Sequence, residues 1–158
     1  MNQYSALALS LFVAFVAAAT GGAGSAGAGE FYEQMQLPAW APPGWLFAPV
    51  WTILYFLMAI AAWLAWRADD WRRTGPALSL YLTQLLVNSL WSWLFFAWRL
   101  GGVAFTEILL LIVLLSGTVV LFYRLRPLAG LLMLPYLAWV CFAAVLNYSV
   151  WQLNPGML

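Results

Sequence analysis

The chain has no histidine and no lysine, and its only side-chain cations are six arginines, set against five acidic residues. Without histidine, the usual general base and the commonest zinc and haem ligand are missing. The formal net charge of +1 argues against nucleic acid as a partner, because phosphate binding needs a cluster of cations. Cys141 is the single cysteine, so an internal disulfide is impossible.

Charged residues of any kind are scarce, at 7% of the 158 residues, whereas 66% are hydrophobic. Soluble domains are about 25% charged, so this chain has too few charges to cover a surface that faces water. The composition therefore indicates an integral membrane protein. Aromatic residues are abundant at 18%, which is enough both to anchor helices at a membrane interface and to line a pocket.

Charged and turn-forming residues divide the chain into five apolar blocks. A helix needs roughly 20 apolar residues to cross a bilayer, and each block reaches that length. We therefore predict an all-α membrane protein with a single domain, residues 1–158, folded as a bundle of five transmembrane helices. The predicted helices cover residues of about 4–23, 45–66, 76–98, 103–123 and 128–153, with a lid loop at about 24–44.

The first block has some features of a cleavable signal peptide, because alanines and glycines follow it near residues 26–29. A basic leading region is missing, however, and the apolar run is longer than the usual 7–15 residues. We therefore expect a retained helix. The cluster Pro38, Pro42 and Pro43 then keeps the end of the lid loop out of regular helix.

The arginines are unevenly divided between the two membrane faces. With five crossings, five arginines fall on the side of the N-terminus, and Arg99 alone falls on the side of the long loop. The positive-inside rule places the N-terminus in the cytoplasm and the loop outside. We expect a multi-pass protein of a bacterial cell membrane, inner or outer. Glu107 should lie about one turn inside the fourth helix, either reaching the interface beside Arg99 or acting as an intramembrane carboxylate.

Polar and aromatic residues recur at helical spacing in three of the predicted helices. Residues four, seven or eight positions apart share one face of a helix. Amides that lack partners in hydrocarbon cost several kcal/mol each, so they should face the bundle interior and bond a neighbouring helix or a ligand. The large indoles favour a pocket. The residues are Trp51 and Tyr55 in the second helix, Gln84, Asn88 and Trp91 in the third, and Trp139, Ala143 and Asn147 in the fifth.

Metal and acid–base sites have no support in the sequence. No pair of carboxylates lies within one predicted helix, and no cluster of cysteine and histidine exists. The glycine-rich residues 21–29 lack the Lys and Ser/Thr of a phosphate-binding loop. In the first helix, Ala14, Ala18 and Gly22 form a smooth face for helix packing, against which a flat ligand could also lie.

Three separated segments carry family motifs: residues 40–55 read WAPPGWLFAPVWTILY, residues 84–96 read QLLVNSLWSWLFF, and residues 135–147 read PYLAWVCFAAVLN. They resemble the translocator protein family, whose members are also called tryptophan-rich sensory proteins or peripheral benzodiazepine receptors. The resemblance covers nearly the whole chain and includes the number of helices and the position of the long loop.

The resemblance implies a homodimer that binds protoporphyrin IX or haem beneath the long loop, in a sensory, regulatory or transport role. Animal members also bind sterols and benzodiazepines. No cofactor or metal is expected, and the third helix, with Trp93 and Phe96 facing away from Asn88, is the expected dimer contact. The implied pocket residues, with Gln84 from the same stripe, are Trp40, Trp51, Tyr55, Gln84, Asn88, Trp91, Trp139, Ala143 and Asn147.

Two positions depart from the family pattern. Leu37 stands where the family often has a lysine, and Gln152 stands where the animal sterol motif needs a cation, which places sterol recognition in doubt. Two alternative functions stay open. One is light-dependent degradation of bound porphyrin, with Trp51 and Trp139 as electron donors. The other is a small secondary transporter, although the sequence shows no inverted repeat and no pair of interrupted helices.

Overall fold

A computed structural model describes residues 2–158, and within that range the chain is all-helical, with no strand. Five of its helices are long and apolar enough to cross a membrane, which confirms the predicted multi-pass bundle. In chain order the helices are α1 (Gln3–Gly24), α2 (Ala28–Gln34), α3 (Phe47–Trp66), α4 (Trp71–Ser92), α5 (Gly101–Leu125) and α6 (Pro127–Leu153). The short α2 lies in the predicted lid loop.

The five long helices surround one core, and α5 and α6 form the most extensive contact between them. The helix α3 packs on α1 and α6, and α4 packs on α1 and α5. Gly130 lets α6 approach α5 closely, because a Cβ atom at this position would lie only 2.6 Å from the Cβ of Tyr123. Such close packing holds helices together in lipid, where the hydrophobic effect between them is lost.

Caps and prolines fix where two of the helices begin. Pro127 is the first residue of α6, a position at which its missing N–H has no partner to lose. At the start of α4, the Asp70 side chain accepts a hydrogen bond from the backbone N–H of Arg73 (3.3 Å). This cap explains why α4 begins at Trp71 rather than at the predicted residue 76. Pro76 lies in the second turn of α4, where its missing N–H leaves the carbonyl of Arg72 without a helical partner. Arg72 is exposed, so water can bond that carbonyl.

The end of the third span departs from an ideal helix. Residues Trp93–Ala97 form a π-helical turn that continues α4, and Arg99 follows in the left-handed region with φ of 56°. The backbone N–H of Leu100 then donates to the carbonyl of Leu94 (2.8 Å), which closes the helix as a C-terminal cap does. This geometry places the Arg99 guanidinium over the ring of Phe31 in α2, 4.7 Å from the ring centroid.

The lid is also tied to the bundle by the last helix. The side-chain oxygen of Asn154, just after α6, accepts from the backbone N–H of Gln36 (2.8 Å), and its amide donates to the Gln36 carbonyl (2.9 Å). Within the lid, the Tyr32 hydroxyl donates to the carbonyl of Pro42 (2.9 Å), and burial raises the pKa of this phenol. The lid is therefore an ordered part of the fold.

Thiol labelling tests the orientation of the bundle. Glu33 in α2 and Arg72 at the start of α4 are both exposed, and one crossing separates them. We expect a membrane-impermeant thiol reagent added outside cells to label Glu33→Cys and to spare Arg72→Cys. Both variants carry Cys141→Ser, because Cys141 is exposed. Equal labelling or equal protection of the two positions would contradict the orientation deduced from the arginines.

Candidate ligand-binding site

A cavity of about 430 Å³ lies beneath α2, between α1, α3, α4 and α6. Its volume is within the roughly 300–1,000 Å³ that is typical of sites for small molecules. None of the residues that line it is charged, and most are aromatic or small. Such a cavity suits an apolar ligand with a flat shape.

Three tryptophans from different helices line the cavity: Trp51 of α3, Trp91 of α4 and Trp139 of α6. The ring of Trp91 is stacked on Phe95, with centroids 5.2 Å apart and planes 12° from parallel. The Trp91 Nε1 donates to the Oδ1 of Asn147 (3.1 Å), which fixes the indole further. The buried Nε1 of Trp139 has no partner among residues 2–158. It is therefore a donor that a ligand in the cavity can use.

The cavity has one buried polar pair. The Nδ2 of Asn88 donates to the Tyr55 hydroxyl oxygen at 2.7 Å, which joins α4 to α3. Both residues are buried, with 5% and 6% of their surfaces exposed, yet both line the cavity. A few convergent polar groups in an apolar cavity orient a ligand while aromatic contacts supply the affinity.

The wall formed by α1 consists of the small residues Ala18, Gly21 and Gly22 together with the ring of Phe15. A Cβ atom at Gly22 would meet no atom within 4 Å, so this glycine leaves free space instead of permitting a helix contact. Ala14, one turn before Ala18, is fully buried in the core between helices. The small residues predicted in the first helix thus serve helix packing at one end and the cavity at the other.

The comparisons with known proteins agree with this architecture. Residues 7–152 match the model of the TspO/MBR family. The chain belongs to the TspO/MBR family. Protein CrtK of Rhodobacter capsulatus is 41% identical to it, over 95% of this chain and 96% of its own length. The tryptophan-rich sensory protein of Cereibacter sphaeroides is 36% identical, over 98% and 95%. The human translocator protein is 38% identical, over 80% and 76%.

The structure of this TspO/MBR family member brings six of the nine predicted site residues to the cavity: Trp51, Tyr55, Asn88, Trp91, Trp139 and Ala143. Asn147 lies one layer behind the wall, where it accepts from Trp91 and donates to a carbonyl of α5 (3.1 Å). Gln84 is fully buried below the cavity and accepts from the hydroxyl of Tyr136 (2.9 Å). Trp40 is half exposed and packs edge-on against Phe142, with centroids 5.9 Å apart.

Four aromatic residues that the helical stripes did not single out also line the cavity: Phe15 in α1, Tyr32 in the lid, Phe47 in α3 and Phe96 in the π-helical turn. Phe47 is one turn before Trp51, so its spacing was a usable signal. The position of Phe96 was not predictable in this way, because a π-helical turn changes which side chains face inward. The lid of this TspO/MBR family member therefore contributes side chains to the site.

Proposed function

We propose that this protein binds a flat, hydrophobic tetrapyrrole, protoporphyrin IX or haem, in the cavity beneath α2. The observation that carries the proposal is an uncharged cavity lined by three indoles and by small residues of α1. Stacking on aromatic rings adds roughly 0.5–1.5 kcal/mol per pair beyond the burial of apolar area. The carboxylates of such a ligand point out of the cavity, because no lining side chain carries a compensating charge.

Access from the bilayer supports a hydrophobic ligand. Ala48 and Thr52 of α3 and Gly22 of α1 line the cavity and are exposed. We infer that the cavity opens to the lipid between these two helices. A ligand dissolved in the membrane can enter there without crossing the lid. The role that fits is sensory, regulatory or transport in the handling of tetrapyrroles, and relatives are named tryptophan-rich sensory protein and translocator protein.

Titration with protoporphyrin IX in the dark tests the binding site. Trp51→Phe and Trp139→Phe keep an aromatic face but lose part of the ring area, so we expect each to weaken binding about 2–10-fold. Absorbance and tryptophan fluorescence in lipid nanodiscs measure the Kd. The matched control is Trp66→Phe at the last residue of α3, which does not line the cavity. If Trp66→Phe loses as much affinity for protoporphyrin IX as Trp51→Phe does, the binding site lies elsewhere.

Light-dependent degradation of the bound porphyrin is a second candidate function, and the neighbours of Trp51 favour it. The centroid of its ring lies 5.8 Å from that of Tyr55 and 6.0 Å from that of Tyr136. These phenols are therefore close enough to donate an electron to an indole radical formed at the cavity. Under illumination in air, Trp51→Phe and Trp139→Phe should slow the loss of porphyrin absorbance more than they weaken binding. If both variants still bind porphyrin and lose its absorbance at an unchanged rate, the tryptophans do not drive degradation and only the binding function remains.

We also propose a homodimer, as the family resemblance implies, with contact through α4. The two residues first expected at this contact are engaged within one protomer, because Trp93 donates to a carbonyl of α1 (3.0 Å) and Phe96 lines the cavity. The face of α4 that remains is formed by Leu82, Leu86 and Leu90, which are 46%, 73% and 41% exposed. These side chains are one turn apart and form a continuous outward ridge.

A further inference from the structure

Glu107 is an acidic residue inside a membrane-spanning helix. It follows Gly101, the first residue of α5, by roughly 9 Å along the helix axis at 1.5 Å per residue. Neither of its carboxyl oxygens is accessible to solvent, and neither has a hydrogen-bond partner within residues 2–158. The expected position beside Arg99 at the interface is not observed, because that guanidinium lies over Phe31. Glu107 therefore needs another explanation.

The contacts of α5 show what surrounds Glu107. Gly101 packs against the ring of Trp151, so α5 and α6 run antiparallel and Glu107 is level with the turn of α6 that ends at Asn147. Asn147 is bonded to Trp91 of α4 (3.1 Å). Glu107 thus lies near the level at which a hydrogen bond joins α4 to α6.

A second hydrogen bond joins the same two helices deeper in the bundle, between the Tyr136 hydroxyl and the Oε1 of Gln84 (2.9 Å). Gln84 is fully buried, and its Nε2 has no partner in the described part of the chain. The hydroxyl of Tyr81, one turn before Gln84, is likewise buried and unpartnered there. Buried polar atoms without a partner among residues 2–158 are thus present on α4 as well as on α5.

The surroundings of Glu107 decide the charge of its carboxyl group. An ionised carboxylate without a cation costs far more in hydrocarbon than a neutral acid does. Both carboxyl oxygens are buried, and the described chain places no cation against them. The stable form of Glu107 in the bundle is therefore the protonated one.

We propose that Glu107 is an intramembrane proton-binding site, with its carboxyl group protonated at neutral pH. The buried titratable groups on the neighbouring helices are phenols, Tyr55, Tyr81 and Tyr136. No arginine of the described chain forms an ion pair with Glu107. The bundle therefore carries one exchangeable proton in α5, whether or not a porphyrin is the ligand.

Infrared spectroscopy of the full chain in phosphatidylcholine bilayers tests this site. We expect a carbonyl band of a protonated carboxyl group at neutral pH, which shifts in D₂O and vanishes in Glu107→Gln. The matched control is Glu33→Gln, an exposed glutamate of the lid, which should keep the band.

Isotope labelling keeps the test independent of how the variants fold. In the unmutated protein, ¹³C-labelled glutamate should shift the band, and the other two glutamates, Glu30 and Glu33, are both exposed to water. Absence of the band at neutral pH, or a band that survives in Glu107→Gln, would overturn the proton site. None of these outcomes depends on porphyrin binding.

Discussion

Replacing Gly130 with alanine should destabilise the bundle by about 1–3 kcal/mol, the usual cost of overpacking a close contact. The added Cβ would lie 2.6 Å from the Cβ, 2.7 Å from the Cα and 2.8 Å from the backbone N of Tyr123. Backbone atoms cannot rotate away as a side-chain tip can. The helices also cannot separate locally, because only Arg126 lies between the end of α5 and the start of α6.

Gly22→Ala is the matched control for this substitution. Gly22 is also helical, but its new Cβ would meet nothing within 4 Å, so alanine should leave stability unchanged or raise it by about 0.5–1 kcal/mol through helix propensity. Unfolding in SDS, followed by circular dichroism, compares the two variants with the unmutated protein. Equal midpoints for Gly130→Ala and Gly22→Ala would show that the α5–α6 contact is not tight in the membrane protein.

Asn154→Ala should release the lid. The asparagine is 5% exposed and holds both backbone groups of Gln36, accepting from its N–H (2.8 Å) and donating to its carbonyl (2.9 Å). Each of these two hydrogen bonds contributes about 0.5–1.5 kcal/mol net, so their joint loss should make transient opening of the lid about 10–100-fold more frequent. Hydrogen exchange read by mass spectrometry should therefore speed up over residues 28–43 and stay slow in α5.

Ser149→Ala controls for the loss of a polar side chain from the same helix end. Its hydroxyl donates only to the carbonyl of Val145 within α6 (2.9 Å), and it is not part of the lid contact. This variant should leave exchange in the lid unchanged. If Asn154→Ala behaves like Ser149→Ala, then the contact with Gln36 does not hold the lid, and Arg99 over Phe31 is the stronger tie.

Much of the site was visible as periodicity. Trp51 and Tyr55 lie one turn apart in α3, as do Trp139 and Ala143 in α6, and all four line the cavity. A helix carries such pairs on one face whatever surrounds it, and the bundle turns that face inward. The same periodicity could not distinguish Asn88, which lines the cavity, from Gln84, which lies on the same stripe but bonds Tyr136 below the cavity.

The sequence by itself determined the class of protein, the five membrane crossings and the family, because these follow from composition, the lengths of apolar runs and local motifs. Only the tertiary structure decided the partners of the buried polar groups. Gln84 bonds Tyr136, Asn154 bonds the lid, and Glu107 lies without a partner among residues 2–158. Those outcomes depend on which helices are neighbours and at what height they cross. Both are set by contacts between residues far apart in the chain, such as Gly101 with Trp151, which a local pattern does not contain.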